Sequence, residues 1–171
     1  MRYFHLSALF LLTLILATPA WAAPAANSRG ADPTQVFVQI PERMDAVQMR
    51  EQVVHTAFSQ LGLSYQMGGV TPRQGFDCSG FTNWVYSMVG VNLPRTSREQ
   101  FTRGIAINKA DLQPGDLVFF RNGRSIGHVG VYVNNNCFIH SPNKNSEIKI
   151  SNLSSPGWAK TYAGARRIIS P

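Results

Sequence analysis

The chain has 171 residues, of which 44% are hydrophobic, and it carries a formal net charge of +7 at pH 7. This length suits one domain with a sizeable core. The lysines and arginines are scattered rather than clustered, apart from Arg166-Arg167, so the charge argues against a nucleic-acid-binding protein and for contact with anionic polymers of the cell envelope.

The first 22 residues have the pattern of a secretory signal peptide. Arg2 precedes an apolar run from Leu6 to Ala17, which is too short to cross a bilayer comfortably, and small residues stand at Ala20 and Ala22. We expect cleavage after Ala22, with Ala20 as second choice, which lowers the formal charge from +7 to +6 because one arginine is removed. The segment contains no cysteine, so lipid attachment there is excluded. No second long apolar stretch follows, and the mature protein is expected to be periplasmic or secreted.

The remaining sequence divides into a linker and one domain. Residues 23–44 are rich in Ala, Asn, Ser, Pro and Gly and show little periodicity, which is typical of a flexible linker. Residues 45–171 show helical periodicity first and period-two alternation afterwards. This order predicts an α+β domain, with N-terminal helices packed on antiparallel strands.

Three helices are predicted in the first half of this domain. The first runs from about Asp45 to Leu61, the second from Cys78 to about Val89, and a short third one begins at a capping box formed by Thr96 and Glu99. The expected apolar faces are Val47, Val54, Phe58 and Leu61 on the first helix, and Phe81, Val85 and Met88 on the second. Gly62, Gly90 and Gly104 end the three helices. Five strands are predicted after them, at residues 116–120, 128–133, 137–140, 147–150 and 165–169.

Cys78 has the surroundings of a nucleophile. Gly75 permits an abrupt turn, and Cys78 then opens the second helix, where unpaired backbone N–H groups and the helix dipole favour a thiolate. One alternative is a small buried cysteine that packs like a hydrophobic residue. Another is a disulfide with Cys137, the only other cysteine, since exported proteins commonly contain disulfides. A nucleophilic cysteine also needs a base elsewhere in the fold.

Two of the four histidines are candidates for that base. His5 leaves with the signal peptide, and His55 is expected to face solvent on the first helix without a role. His128 and His140 remain. We expect His128 to take the proton of the cysteine thiol, and His140 to hydrogen-bond the far nitrogen of His128 and so fix its tautomer.

Strand parity supports a contact between these two histidines. The valines of residues 128–133 share one face, so His128 lies on the other face of the sheet. If Asn134-Asn135-Asn136 form a three-residue loop, His128 lies diagonal to His140 on the same face. A two-residue loop would slip the register by one residue and separate the pair. The same parity sends Cys137 to the valine side, which argues against a disulfide and against a zinc site that includes His140.

Six motifs, in this order, resemble the NlpC family of cell-wall cysteine peptidases. They are Tyr65-Gln66-Met67-Gly68-Gly69, Phe76-Asp77-Cys78-Ser79-Gly80-Phe81, Leu93-Pro94-Arg95-Thr96-Ser97, Leu112-Gln113-Pro114-Gly115-Asp116-Leu117-Val118-Phe119-Phe120, Gly127-His128-Val129-Gly130-Val131-Tyr132 and Phe138-Ile139-His140-Ser141. The match covers about residues 47–169. It implies a papain-like α+β fold with a central antiparallel sheet of five to six strands, and it places the family's catalytic positions on Cys78, His128 and His140.

The resemblance also implies roles for three further residues. The Tyr65 hydroxyl would line the oxyanion region beside the backbone N–H of the nucleophile, and Asp77 and Ser79 would help to bind the amine of the substrate. Otherwise Tyr65 is a packing aromatic and Asp77 a helix N-cap. Two residues depart from the family pattern: Met67 stands where an aromatic is usual, and Ser64 replaces the usual proline.

The implied function is that of an exported peptidoglycan hydrolase, a thiol protease that needs no metal or organic cofactor. Its substrate bond would be either the D-alanyl–diaminopimelate cross-link or the γ-D-glutamyl–diaminopimelate bond within a stem. Family members specific for free stems often carry an extra N-terminal domain, and the short linker here favours the D,D-endopeptidase. Two other possibilities are a non-catalytic cell-wall-binding module and an acyltransferase, although the order of Cys before His fits the peptidases. We expect a monomer that acts on peptidoglycan peptides and has no nucleic-acid partner.

Overall fold

The computed structural model of the protein describes residues 43–171. The predicted signal peptide, residues 1–22, and all of the predicted linker except residues 43 and 44 lie outside the described residues. Across the described part of the chain, no helix is long and apolar enough to cross a membrane.

The described residues form an α+β fold, as predicted. The helices are α1 (Ala46–Phe58), α2 (Cys78–Ser87), α3 (Ser97–Gln100) and α4 (Pro156–Thr161). The strands are β1 (Val70–Thr71), β2 (Gly75–Phe76), β3 (Ile105–Ile107), β4 (Leu117–Asn122), β5 (Ser125–Asn134), β6 (Cys137–His140), β7 (Lys149–Asn152) and β8 (Tyr162–Arg167). Strands β3 to β8 make one antiparallel sheet in the order β3-β8-β4-β5-β6-β7, and β1 and β2 pair as a small hairpin.

The predicted strands agree with the observed sheet to within a few residues, but short elements were missed. Strand β6 has the predicted bounds, β4 and β5 are longer than predicted, and β7 and β8 are displaced along the chain. The hairpin β1–β2, strand β3 and helix α4 were not predicted. Each of these elements has six residues or fewer, which is too short to show a clear period in the sequence.

Helix α1 begins where the sequence predicts, but it buries a different face. Asp45 caps it by accepting hydrogen bonds from the backbone N–H groups of Val47 and Gln48. The predicted apolar face is wrong, because Val47, Phe58 and Leu61 are 51%, 42% and 39% exposed. The side that packs against α2 and β5 instead carries the smaller residues Val53, Thr56 and Ala57. Small side chains let the helix approach its neighbours closely, and the bulkier ones stay at the margin.

Helix α2 buries Phe81 and Val85 as predicted, but Met88 is 51% exposed. The helix ends at Ser87, so Met88 lies at its C-cap and no longer follows the helical period. Tyr86 is buried instead, and its hydroxyl donates a hydrogen bond to the carbonyl of Gly115. At its other end, α2 is capped by Asp77 and begins with Cys78.

The six-stranded sheet has two apolar faces with different partners. Val129, Val131 and Val133 lie on the face that packs against α1 and α2, as strand parity predicts. The other face carries an aromatic cluster that α4 covers. Its members are Val118, Phe120, Tyr132, Phe138, Leu153 and Ala165, with Trp158 and Tyr162 packed against them. The histidines of β5 and β6 lie among these aromatics.

The turn between β5 and β6 is shorter than predicted. Asn134 pairs with Cys137, which leaves Asn135 and Asn136 as a two-residue turn. Both turn residues have positive φ values, 47° and 61°, which asparagine tolerates better than most residues. The prediction of a three-residue loop is therefore wrong.

A β-bulge restores the predicted register. The pairing shifts between Tyr132 and Asn134, so Val133 is an additional residue in β5. Beyond the bulge, Val131 pairs with Ile139, which is the register that the longer loop would have produced. The one-residue slip caused by the short turn is thus cancelled before the histidines are reached.

Candidate active site

Cys78 is held at the first position of α2 by the turn that precedes it. Gly75 has a φ of +87°, and a Cβ added there would stand 2.5 Å from the carbonyl oxygen of Ser64, so this position requires glycine. Asp77 follows as the N-cap of α2, and its carboxylate accepts a hydrogen bond of 2.7 Å from the backbone N–H of Gly80. The turn and the cap together fix the half-buried Cys78 at the start of α2, the helix that packs against β5.

Burial and hydrogen bonding act on Cys78 in opposite directions. Burial raises the pKa of the thiol, and the neighbouring Asp77 carboxylate raises it further. Hydrogen bonds from the backbone N–H groups of Val129, Ser79 and Cys78 itself lower the pKa but do not reverse the shift. The net direction is therefore opposite to the one that the helix start alone suggests, and it favours the neutral thiol at rest.

The two candidate histidines are in contact, as predicted. Nε2 of His128 lies 2.8 Å from Nδ1 of His140, and Nε2 of His140 lies 2.9 Å from the hydroxyl oxygen of Ser151. His140 is fully buried and His128 is half-buried. Three side chains from three adjacent strands thus form one continuous line of hydrogen bonds.

An aromatic enclosure surrounds this line. The ring of Trp158 stacks on His128 at 5.3 Å between centroids and meets His140 edge-on at 4.9 Å. Phe120 and Phe138 pack against the same imidazoles. Burial in this apolar setting lowers the pKa of His128 to about 4. Burial also lowers the pKa of His140, and the charges of His128 and Lys149 lower it further. Both rings are therefore neutral at neutral pH.

The cysteine sulfur lies beside the strand that carries His128. The backbone N–H of Val129, the residue that follows His128, is close enough to Sγ of Cys78 to lower the pKa of its thiol. Nε2 of His128 is occupied by His140, and Nδ1 is the ring nitrogen closer to its own main chain, where the sulfur lies. Gly127 borders both the cleft at Cys78 and the cavity at His128, so the two are adjacent.

Asp77 and Ser79 form a cluster with Arg95. The Arg95 guanidinium donates hydrogen bonds of 3.1 and 2.5 Å to the two carboxylate oxygens of Asp77, and one of 3.1 Å to the Ser79 hydroxyl. The Asp77 carboxylate also accepts from the backbone N–H of Gly68 at 3.0 Å. Burial raises the pKa of Asp77, but these hydrogen bonds outweigh it and hold the pKa below its ordinary value. Asp77 is thus an ionised cap that ties α2 to the neighbouring loop.

Tyr65 lines the same cleft as Cys78. Its hydroxyl lies 3.5 Å from the sulfur of Met67, which is 75% exposed. Burial raises the pKa of Tyr65, with negative charge at Cys78 and Asp77 adding to the effect, so the hydroxyl keeps its proton and is available as a donor.

Backbone contacts replace the rigidity that a proline before Tyr65 would supply. The Tyr65 N–H donates to the carbonyl of Ser146 at 2.8 Å, and the carbonyl of Ser64 accepts from the N–H of Phe76 at 3.2 Å. Tyr65 and Phe76 also form an isolated parallel bridge. The departure at Ser64 is therefore compensated in the tertiary structure.

Cys78 and Cys137 are both free. Parity placed Cys137 on the valine face, and it packs there, but Cys78 packs against the same apolar cluster. The two are kept apart by position rather than by face. Cys78 meets β5 at Val129 whereas Cys137 pairs with Asn134, and these positions are about 16 Å apart at about 3.3 Å per residue. That separation is far beyond the reach of a disulfide.

Three residues of the site were not assigned a role from the sequence. Arg95 lies in one of the six family motifs, but its pairing with Asp77, 18 residues away, has no signal in the neighbouring sequence. Ser151 was missed because the strand predicted at 147–150 ends just before it. Trp158 was missed with α4, although Pro156 after Ser155 is a recognisable helix start. Within residues 43–171, no group of three or more His, Cys, Asp or Glu side chains is placed to hold a metal ion.

Most of the described sequence matches a known protein family. The model of the NlpC/P60 family matches residues 62–167. The chain belongs to the NlpC/P60 family. The matched span contains the nucleophile candidate, both histidines and every strand of the sheet, which agrees with the fold described above.

Individual relatives share the same region. The chain is 47% identical over 117 residues to murein DD-endopeptidase MepH of Escherichia coli, covering 66% of this chain and 43% of the relative. It is 40% identical over 122 residues to a gamma-D-glutamyl-L-lysine dipeptidyl-peptidase of Bacillus cereus, covering 70% and 36%. A crystal structure of an NlpC/P60 family protein from Bacillus cereus superposes with a TM-score of 0.68 at 39% identity, over 71% of this chain and 40% of that one. This NlpC/P60 chain spans less than half the length of each.

Proposed function

We propose that this protein is an exported peptidoglycan hydrolase, a cysteine peptidase that cleaves an amide bond in murein peptides. The observation that carries the proposal is the position of the Cys78 sulfur. It lies at the start of α2, beside the backbone N–H of the residue that follows His128, while His140 contacts Nε2 of that imidazole. The names of the MepH and Bacillus cereus relatives support a peptide of the cell wall as the substrate.

The proposed reaction starts from two neutral groups. As Sγ of Cys78 attacks the carbonyl carbon, its proton moves to Nδ1 of His128, and the carbonyl oxygen becomes an oxyanion. The Cys78 N–H and the Tyr65 hydroxyl stabilise that oxyanion. His128 then gives its proton to the leaving amine, and the acyl-enzyme forms. Water, deprotonated by His128, attacks the thioester and releases the free acid and the thiol.

The hydrogen-bond line sets the tautomers that this reaction needs. If Nδ1 of His128 is to accept a proton, Nε2 must carry one and donate it to Nδ1 of His140. His140 then carries its own proton on Nε2 and donates to Ser151. We assign Ser151 as a positioning residue that acts through His140.

The D-alanyl–diaminopimelate cross-link is the bond we propose, which makes the protein a D,D-endopeptidase. The 47% identity to a relative named as a DD-endopeptidase supports this choice. The γ-D-glutamyl–diaminopimelate bond within a stem is the second candidate, since another relative is named for a γ-D-glutamyl bond.

Digestion of purified, cross-linked muropeptides, followed by mass spectrometry, tests both the activity and the bond. Wild type is expected to convert dimers into monomers of unchanged stem length, and Cys78→Ala is expected to lose at least about a thousandfold of that rate. Shortened stems would indicate the second bond. Remodelling of walls by Cys78→Ala at the wild-type rate would contradict the peptidase and favour a binding module.

Export is proposed from the pattern of residues 1–22. The mature protein recovered from the periplasmic or secreted fraction should begin at Ala23, and intact mass spectrometry checks this directly. A mass that retains the apolar run would contradict cleavage after Ala22.

A further inference from the structure

We infer that the cavity beside His128 is a subsite for a carboxylate attached to the leaving amine of the substrate. This inference rests on the proposed peptidase activity and concerns which half of the substrate this cavity receives. The cavity has a volume of about 480 Å³ and is lined by His128, Trp158, Ser151, Arg121 and Lys149, among others.

The position of the cavity assigns it to the leaving group. The cleft at Cys78 and Tyr65 receives the acyl half, because the sulfur bonds to the acyl carbon there. The cavity adjoins that cleft at Gly127 and is lined by His128, the group that protonates the departing amine in the proposed reaction. The fragment that leaves with the amine therefore extends into the cavity.

The charges of the two regions differ. Arg95 at the acyl side is neutralised by Asp77. Arg121 and Lys149 line the cavity, and no acidic residue lines it. Within residues 43–171, the ion pairs join Arg95 to Asp77 and Arg167 to Asp116, so neither cavity cation is paired with a carboxylate. Lys149 is directly opposite His140 in the β6–β7 pairing, which brings its charge beside the histidine line.

Two cations without a carboxylate partner, in a cavity lined otherwise by polar and aromatic residues, fit an anionic group, and the two candidate bonds differ in how they supply it at this place. In the D-alanyl–diaminopimelate cross-link, the carbon that bears the leaving amine also bears a free carboxylate. In the γ-D-glutamyl–diaminopimelate bond, the corresponding carboxyl is consumed in an amide whenever the stem continues to a fourth residue. The cavity therefore favours cross-link cleavage and is a specificity determinant for it.

The test compares two cross-linked dimers that differ only at this carboxylate, which is free in one and amidated in the other. Wild type is expected to show a kcat/KM at least about tenfold higher for the free acid, from one charge-assisted contact. Arg121→Gln and Lys149→Gln should each lower kcat/KM on the free acid by about five- to tenfold and leave the amidated dimer unchanged. Arg124 is an exposed arginine in the turn between β4 and β5 and does not line the cavity, so Arg124→Gln should leave kcat/KM unchanged on both dimers.

Two results would overturn the inference: equal rates of wild type on both dimers, or equal losses on both in the cavity variants. A binding measurement separates this inference from the proposed peptidase activity. Calorimetry measures the affinity of Cys78→Ala for each of the two dimers. If wild type hydrolyses neither dimer, the peptidase proposal fails. A preference of Cys78→Ala for the free acid, abolished by adding Arg121→Gln and Lys149→Gln, would still support the subsite. The lack of any such preference would refute it.

Discussion

Burial sets the protonation of the catalytic candidates more strongly than the local motif does. A cysteine at a helix start is commonly a thiolate, yet burial raises the pKa of Cys78 and lowers that of His128 to about 4. Both shifts favour the neutral pair at neutral pH. The base is therefore unprotonated and ready to accept a proton, and the charges of the reaction develop only as the sulfur attacks.

Ser151 provides a test of this chain of protons at the residue scale. Ser151→Ala removes the acceptor for the Nε2 proton of His140, so the productive tautomer of His128 loses part of its support. We expect kcat to fall about three- to tenfold with KM unchanged, since a typical hydrogen bond contributes about 1 kcal/mol. Steady-state kinetics on a cross-linked muropeptide measures this.

Ser151→Thr is the matched control, because it keeps the hydroxyl and should keep most of kcat. Nitrogen NMR of the His140 ring should report a proton on Nε2 in wild type and a mixture of tautomers in Ser151→Ala. An unchanged tautomer together with an unchanged kcat would show that Ser151 has no positioning role.

At the scale of elements, the β5–β6 hairpin decides whether the histidines meet. A two-residue turn alone would place His128 and His140 on opposite faces, and the bulge at Val133 cancels that slip. The bulge at Val133 lies between the Asn135-Asn136 turn and the part of β5 that carries His128. It is thus a functional feature of the strand and not an irregularity of the turn.

Deletion of the bulge residue is predicted to preserve the contact between the histidines. Without Val133, Asn134 still pairs with Cys137 and Tyr132 becomes the next residue of the strand, so its pairing with Phe138 and the 2.8 Å contact between His128 and His140 are retained. We expect kcat/KM to stay within about tenfold of the wild-type value. Circular dichroism establishes whether the sheet is retained.

Insertion of one valine between Val131 and Tyr132 is the opposite case. It adds a second extra residue to β5, which slips the strand by one position against β6 and separates the histidines, so a loss of at least about a hundredfold in kcat/KM is expected. If the deletion and the insertion impair kcat/KM equally, the number of residues in β5 does not set the register.

At the scale of the whole molecule, the two faces of the sheet contribute different parts of the site, with Cys78 packed against the valine face and the histidines on the aromatic face. The valine face packs on α1 and α2, and the aromatic face encloses the histidines under α4. The aromatic enclosure keeps both imidazoles neutral, and this has a consequence for stability. A protein that buries neutral histidines loses stability in acid, because the unfolded chain gains protons that the folded one cannot bind.

We predict that the free energy of unfolding falls as the pH drops from about 6.5 to about 4. Above pH 6.5, His128 is neutral in both the folded and the unfolded protein. Between pH 6.5 and about pH 4, His128 binds a proton in the unfolded chain but not in the folded protein. His128 alone accounts for at most about 3.5 kcal/mol, at about 1.4 kcal/mol for each pH unit between 6.5 and its folded pKa of about 4. Denaturant unfolding at pH 7, 5 and 4 measures the slope.

His140→Gln should make this slope shallower, because it removes one of the two buried imidazoles. His55→Gln, at an exposed position on α1, should leave it unchanged. A slope that is the same in wild type and His140→Gln would contradict the claim that the buried histidine line destabilises the fold in acid.

Local patterns in the sequence were sufficient for much of the fold. The helix caps at Asp45, Asp77 and Thr96 depend on side chains within three residues of the backbone groups that they satisfy, so the starts of α1, α2 and α3 could be predicted. The alternation along β5 and β6 assigned their faces for the same reason, and the ordered motifs around Cys78 and His128 indicated the family.

Contacts between distant parts of the chain decided the rest. The buried face of α1 depends on how closely it approaches α2 and β5, and the separation of Cys78 from Cys137 depends on where α2 meets β5. The histidine register required a bulge whose geometry arises from strand pairing, and the cationic cavity joins Arg121 of β4 to Lys149 of β7. Burial and long-range juxtaposition have no local signature, so the pKa shifts and the asymmetric charge of the cleft emerged only from the tertiary structure.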